Sequence, residues 1–265
     1  MFSRLRLSFD HSVTASNLLD ELLYRTGDRL VSYENDRPQS LSELHADVCS
    51  LSRFLVEAAG LEPGGLVAIY RTNDTRCFRW FLAVIRAGGI AVPLNPLLSL
   101  AEVQRIGATS GARILVTDRT VFERSIVERQ ALPFEQWIED DDESTTLDGF
   151  LRPPRDCPAP PLPAAIVEPD STVAIFHTSG TSGFPKGAAL SSRALLGGRA
   201  TAALVAPFLG SKDLALIALP WSHIMAVSIA IYGLFSGVPG CFLEHFDTAR
   251  ALEVIERRRI TTFAG

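Results

Sequence analysis

The chain has 265 residues, 47% of them hydrophobic, which is enough to bury a large core in one or two domains. Its net charge of −5 excludes the broad positive field that holds a nucleic-acid backbone, so no nucleic-acid partner is expected. Cys49, Cys77, Cys157 and Cys241 lack C-x-x-C spacing and three of them sit among apolar residues, which predicts small core side chains in a reducing, cytoplasmic setting.

Met1 to Asp10 places Arg4 and Arg6 among single apolar residues and has no continuous apolar core, unlike a secretory signal. From about residue 40 onward, strand-type and helix-type segments alternate, the pattern of an α/β protein with a largely parallel sheet. Ser40 and Glu43 form a capping-box pattern, followed by Leu44, Val48, Leu51 and Leu55 at helical spacing as far as Gly60. Leu66 to Tyr70 suits a buried strand, and a helix is predicted from about Thr75 to Ala87, burying Phe78, Phe81, Leu82 and Ile85 and ending at Gly88-Gly89. Ile90 to Val92 is the next strand. Ser99 with Glu102 repeats the capping device, with Gly111 as the stop, and Ile114 to Thr117 is again strand-like. His11 and His45 are expected at the surface, and no pair of histidines has the spacing of a metal site.

Glu139 to Glu143 is acidic, and Arg152 to Pro163 holds six prolines, which suit neither helix interiors nor central strands. An exposed connection is expected there. The chain then divides into a first α/β region (1–151), a proline-rich connection (152–170) and a second region (171–265) that opens with Thr172-Val173-Ala174-Ile175-Phe176. Ile224 to Leu243 is twenty residues without a charge, long enough to span a bilayer. Gly233, Gly237, Pro239 and Gly240 interrupt its second half and no basic flank marks a cytoplasmic side, so the prediction is a buried helix over Ile224 to Phe235, a turn and a short strand, with no transmembrane segment. Arg257-Arg258-Arg259 follows Glu253 and Glu256 and is expected on a solvated helix face.

The chemistry concentrates in Thr178-Ser179-Gly180-Thr181-Ser182-Gly183-Phe184-Pro185-Lys186-Gly187, which follows the apolar strand directly. Glycines allow close backbone approach and turn successive N–H groups toward one point. Hydroxyls add donors for phosphate oxygens, and Lys186 adds a full charge. Of the 25 basic residues only Lys186 and Lys212 are lysines, so a lysine at this place invites a specific role that a planar guanidinium does not fill. A Walker-type loop is excluded, because that pattern sets Gly-Lys-Ser/Thr at a helix start, whereas Gly187-Ala188-Ala189-Leu190 reads as a strand.

Thr178 to Gly187 resembles the signature phosphate loop of the adenylate-forming superfamily, which includes acyl-CoA and aryl-CoA synthetases, adenylation domains of peptide synthetases and beetle luciferases. Leu66 to Tyr70, Phe81 to Pro96 and Gly111 to Asp118 resemble that family's first α/β subdomain, and Leu219-Pro220-Trp221-Ser222-His223 resembles its second core motif. The resemblance runs from about Asn17 and implies layered αβα subdomains. It also implies activation of a carboxylic acid, fatty or aryl, by ATP with Mg2+, then transfer to a thiol, commonly coenzyme A. By resemblance Thr178, Ser179, Gly180, Thr181, Ser182, Gly183 and Lys186 hold the β and γ phosphates, and Lys186 and His223 are the catalytic residues. His223 would lie near the substrate carboxylate; a satisfied core histidine is the alternative. Trp221, Met225 and Ile229 either line part of the acyl pocket or pack in the core.

The family's large domain continues beyond the position of Gly265. Its Tyr-Gly-x-Thr-Glu motif, its ribose-binding aspartate and its C-terminal catalytic lysine have no counterpart in this sequence. The expectation is a truncated adenylate-forming N-terminal domain that is inactive alone, with a non-catalytic nucleotide-binding or interaction protein derived from the family as the alternative. Thr261 to Ala264 is expected to begin a buried strand whose free edge would make the polypeptide poorly soluble or oligomeric.

Overall fold

The computed structural model describes residues 12–34, 37–124, 132–141, 151–153, 162–178, 185–205 and 209–264. Six strands form one sheet: β3 (Leu66–Tyr70), β4 (Ile90–Pro93), β5 (Ile114–Thr117), β6 (Gln136–Glu139), β7 (Thr172–Thr178) and β8 (Lys186–Ser191), in the order β6-β5-β3-β4-β7-β8. All neighbours are parallel except β7 and β8, which form an antiparallel hairpin at one edge. Five strands form the other sheet: β1 (Leu30–Glu34), β2 (Arg37–Ser40), β9 (Ala215–Ile217), β10 (Gly240–Phe242) and β11 (Thr262–Ala264), in the order β11-β9-β10-β1-β2. Only β1 and β2 are antiparallel there. This is the layered α/β architecture expected. Both sheets draw strands from both sides of residues 152–170.

The helices are α1 (Leu18–Thr26), α2 (Leu41–Glu57), α3 (Thr75–Arg86), α4 (Leu100–Ser110), α5 (Arg119–Arg124), α6 (Ser192–Val205), α7 (Ile224–Ser236) and α8 (Thr248–Arg258). The predicted capping box at Ser40 and Glu43 is formed, and Glu102 reaches back to accept from the Ser99 N–H at 2.8 Å. Helix α3 is buried on nearly every face, from Cys77 to Arg86 with the exception of Arg79. Asp74 caps it by accepting from the Arg76 and Cys77 N–H groups, and positive φ at Gly88 turns the chain away at its end. Trp80 and Phe81 are among its largest fully buried side chains, and each large apolar side chain so buried contributes about 1.5–3 kcal/mol. The uncharged stretch folds as predicted, into α7, a turn at Gly237 in the left-handed region and β10. Among the described residues no helix is long and apolar enough to cross a membrane.

Three local expectations are corrected. Glu139 and Asp140 are not exposed: Glu139 is buried against Arg119, and Asp140 accepts from Trp80 Nε1 at 2.7 Å and from Arg71 at 3.2 Å. Burial is tolerable because cations meet these carboxylates. His45 is half-buried and paired with Asp20 at 2.9 Å. Strand β11 is an edge strand with Phe263 45% exposed and stacked on the exposed Phe246. Of the proline-rich connection, residues 154–161 lie outside the described set, while Leu162 and Ala165 dock on Arg86, whose guanidinium donates to the Leu162 carbonyl and whose own carbonyl accepts from the Ala165 N–H. Arg257 and Arg259 are exposed as expected, and Arg258 lies 4.4 Å over the Tyr33 ring.

Candidate nucleotide and carboxylate site

Parallel sheets present ligand-binding loops at the carboxyl ends of their strands. Two of the segments singled out from sequence leave such ends. Strand β7 ends at Thr178 and β8 begins at Lys186, and these two residues are direct cross-strand partners. The Thr178 hydroxyl donates to the Lys186 carbonyl at 3.4 Å. Both side chains therefore start from the tip of one hairpin, and directly opposed residues hold their Cβ atoms about 4.5–5.5 Å apart. Thr178 and Lys186 are exposed, and among the described residues the Lys186 ammonium has no carboxylate partner. Ser179, Gly180, Thr181, Ser182 and Gly183 fall within residues 179–184, outside the described residues.

Below the tip, His177 faces Gly187. A Cβ on Gly187 would stand 2.9 Å from Ile175 Cγ2 and 3.3 Å from His177 Nε2, so the glycine is what lets the half-buried imidazole lie across the partner strand. Burial lowers the pKa of His177 below its ordinary value, favouring the neutral ring, and its Nδ1 has no hydrogen-bond partner among the described residues.

The second segment leaves β9. Leu219 to His223 leads into α7, and His223 is the N-cap: it is exposed, and its Nδ1 accepts from the Met225 N–H at 3.3 Å. It is not a core histidine. Trp221, by contrast, is buried, stacked on Phe78 at 4.9 Å and tilted against Phe242 at 5.1 Å. Of the three apolar candidates it belongs to the core, whereas Met225 is 50% exposed and Ile229 lines two cavities beside α7. Thr178 and Lys186 thus belong to the six-stranded sheet and His223 to the five-stranded one. The two are linked through α6, which follows β8 without a break and packs on α7.

Sequence reasoning passed over Asn73. Its Oδ1 accepts from the Trp221 N–H at 2.7 Å, and its Nδ2 donates to the carbonyls of Glu244 at 3.1 Å and Leu219 at 3.5 Å. One buried amide at the end of β3 thereby fixes the loops after β9 and β10, among them the loop that delivers His223. An asparagine beside a helix cap carries no periodic signal, so nothing in the sequence marks it. Beneath the same loops, Arg71 is 2% exposed and meets Asp74 and Asp140 at 3.2 Å and Asp118 at 3.7 Å. Among the described residues no group of three or more His, Cys, Asp or Glu side chains could hold a metal ion.

Comparison with known proteins agrees with this fold. A family profile described as AMP-binding enzyme matches residues 19–265. The chain belongs to the AMP-binding enzyme family. The chain is 30% identical over 243 residues to the chloroplastic/peroxisomal 2-succinylbenzoate–CoA ligase of Arabidopsis thaliana, a match covering 88% of this chain and 43% of that protein. Its fold is similar to that of a putative long-chain-fatty-acid CoA ligase from Rhodopseudomonas palustris, with a TM-score of 0.81 at 21% identity over 96% of this chain and 63% of the other. It is also similar to O-succinylbenzoate coenzyme A synthetase from Bacillus subtilis in complex with ATP and magnesium ion, with a TM-score of 0.75 at 23% identity over 93% and 62% of the two chains. The chain therefore spans less than half the length of the curated relative it matches.

Proposed function

We propose that this chain supplies the nucleotide grip and part of the acid-binding surface of an ATP-dependent acid–thiol ligase. In that reaction a carboxylate attacks the α-phosphate of ATP, pyrophosphate leaves, and the acyl group passes to a thiol, coenzyme A in the leading form of the proposal. The observation that carries it is the cross-strand pairing of Thr178 with Lys186, which starts a hydroxyl and an ammonium side chain, the latter without a carboxylate partner among the described residues, from the ends of two paired strands.

Both reactants in the first step are anions, so the catalyst must offset their repulsion and the charge growing on the leaving pyrophosphate. Lys186 answers the second need, with the hydroxyl and backbone donors of residues 178–183 proposed as the remaining contacts to the β and γ phosphates. Magnesium would be held chiefly through the phosphates themselves and would neutralise their charge. His223 stands at the N-terminus of α7, where the helix dipole favours an anion; the substrate carboxylate is proposed to lie there. The family membership and the ligase relatives support this reading, and a reducing compartment such as the cytoplasm fits the free, buried Cys49, Cys77 and Cys241.

The test is MgATP binding to the chain by calorimetry, with Lys186→Ala alongside. Saturable binding to the wild type that weakens at least about tenfold in the variant supports the proposal, on the scale of a lost charge-assisted contact. Equal binding by both, or none by the wild type, overturns it.

A further inference from the structure

Cys49, Cys77 and Cys241 are buried alike, each 5% or 6% exposed, yet their surroundings differ. Cys241 lies in an apolar cluster with Leu216, Leu243 and Val254. Cys77 donates its thiol proton to the Thr72 carbonyl at 3.1 Å, and burial pushes its thiol well above the ordinary value. Cys49 instead faces charged groups. Its Sγ stands 3.5 Å from Nε2 and 3.9 Å from Nδ1 of His45, one turn earlier on α2. The same imidazole meets Asp20 of α1 at 2.9 Å, and Asp20 is shared with the buried guanidinium of Arg86 at the end of α3.

Charge alternates along this chain of contacts, from the Arg86 guanidinium to the Asp20 carboxylate, the His45 ring and the Cys49 sulfur. The hydrogen bond to Asp20, then that to Cys49, raises His45 to about 9, so at neutral pH the ring carries a proton on each nitrogen. The nucleophilic form of a cysteine is the thiolate, and an adjacent imidazolium is an arrangement that stabilises it. The cluster reaches solvent through the Asp20 side chain, which is 38% exposed. None of these residues belongs to the proposed nucleotide or carboxylate site.

We propose that Cys49 is a modification site for hydrogen peroxide, with His45 as the proton donor and Asp20 holding the ring in place. The Cys49 thiolate attacks one peroxide oxygen, and the S–O bond forms as the O–O bond breaks. The departing hydroxide takes a proton from the His45 imidazolium and leaves as water, so a sulfenic acid stands beside a neutral ring. Sulfur is oxidised by two electrons and the peroxide is reduced by two, and no other reactant is needed. A small oxidant suits a sulfur buried to this degree, whereas a bulky electrophile does not.

In the experiment the 265-residue chain is exposed to hydrogen peroxide at neutral pH and quenched with catalase at timed intervals. The remaining thiols are alkylated in denaturant, and peptide mass spectrometry reads the oxidation rate at each cysteine. Cys49 is expected to oxidise at least about tenfold faster than Cys77 and Cys241, on the scale by which a neighbouring cation activates a thiol. His45→Gln is expected to bring Cys49 within about twofold of those two while the chain still melts cooperatively. General loosening of the fold would speed all three cysteines, whereas loss of the imidazolium slows Cys49 alone. Equal rates at the three cysteines of the wild type overturn the assignment, as does an unchanged Cys49 rate in a folded His45→Gln chain. Where that variant does not melt cooperatively, the wild-type comparison decides by itself.

Discussion

Thr178 and Lys186 stand opposite one another across the β7–β8 hairpin, the hydroxyl of the first donating to the carbonyl of the second. The pairing places the rare lysine at the end of a strand ladder rather than on a free loop. Its backbone is thereby held in advance of the nucleotide binding proposed for it, which is the preorganisation that electrostatic catalysis needs.

In a longer protein with the proposed ligase activity, Lys186→Ala is expected to slow carboxylate-dependent ATP–pyrophosphate exchange by about 10²- to 10³-fold, the scale of losing one preorganised charge-stabilising donor. Lys186→Arg should recover only part of the rate, because the guanidinium is planar and bulkier than an ammonium. Exchange at the wild-type rate in the alanine variant would remove Lys186 from the mechanism.

Gly187→Ala tests the hairpin neck. The added methyl group must displace Ile175 Cγ2 at 2.9 Å and His177 at 3.3 Å, and such overpacking costs about 1–3 kcal/mol. A lower denaturation midpoint is expected, and His177→Ala in the same chain should restore part of it by vacating the imidazole's space. No loss in the single variant would show that the neck is not tightly packed.

Two histidines should give stability opposite dependences on pH. The Asp20 hydrogen bond, aided by Cys49, raises His45 from 6.5 to about 9. Its contribution is fully present below about 6.5 and is lost as pH rises through about 9, because the folded state binds the proton more tightly than the unfolded one. Burial lowers His177 instead. Its contribution is present above the ordinary value of 6.5 and is lost as pH falls, since the unfolded chain then takes up the proton first. Melting curves of His45→Gln should lose the alkaline fall, and those of His177→Gln should lose part of the acidic one.

Arg71→Met should be severe. It leaves Asp74, Asp118 and Asp140 facing one another without the cation they share, and breaking such a buried pair costs about 3–5 kcal/mol. Arg193→Met, which removes an exposed pair with Asp170 at 2.8 Å, should change stability by less than about 1 kcal/mol. Urea denaturation of both variants measures the contrast, and similar midpoints would contradict it.

Asn73→Ala removes the amide that ties Leu219, Trp221 and Glu244 together. Leaving buried partners unsatisfied costs about 1–3 kcal/mol, and the emission of Trp221 should shift to the red as its loop loosens. An unshifted spectrum with an unchanged midpoint would show that the aromatic stack of Phe78, Trp221 and Phe242 holds the loop unaided.

Periodicity and capping were enough to locate α2, α3, α4 and α7 and strands β3, β4, β5, β7 and β8, because each of these is specified by neighbours in the chain: a Ser–Glu box, a helical apolar stripe, a short β-branched run. The segment proposed to hold phosphate stands out in the sequence for the same reason, its hydroxyls, glycines and lysine being consecutive. The pairing of Asp140 with Arg71 and Trp80, of His45 with Asp20, and of Asn73 with two distant loops was not, since each joins residues far apart in sequence and burial alone decides whether a charge meets water or a partner. Nor could composition show that Gly198 faces open space while Gly233 presses on a carbonyl. Both lie in helices, and only the packing around α6 and α7 makes glycine a structural necessity at 233 while leaving open space beside 198.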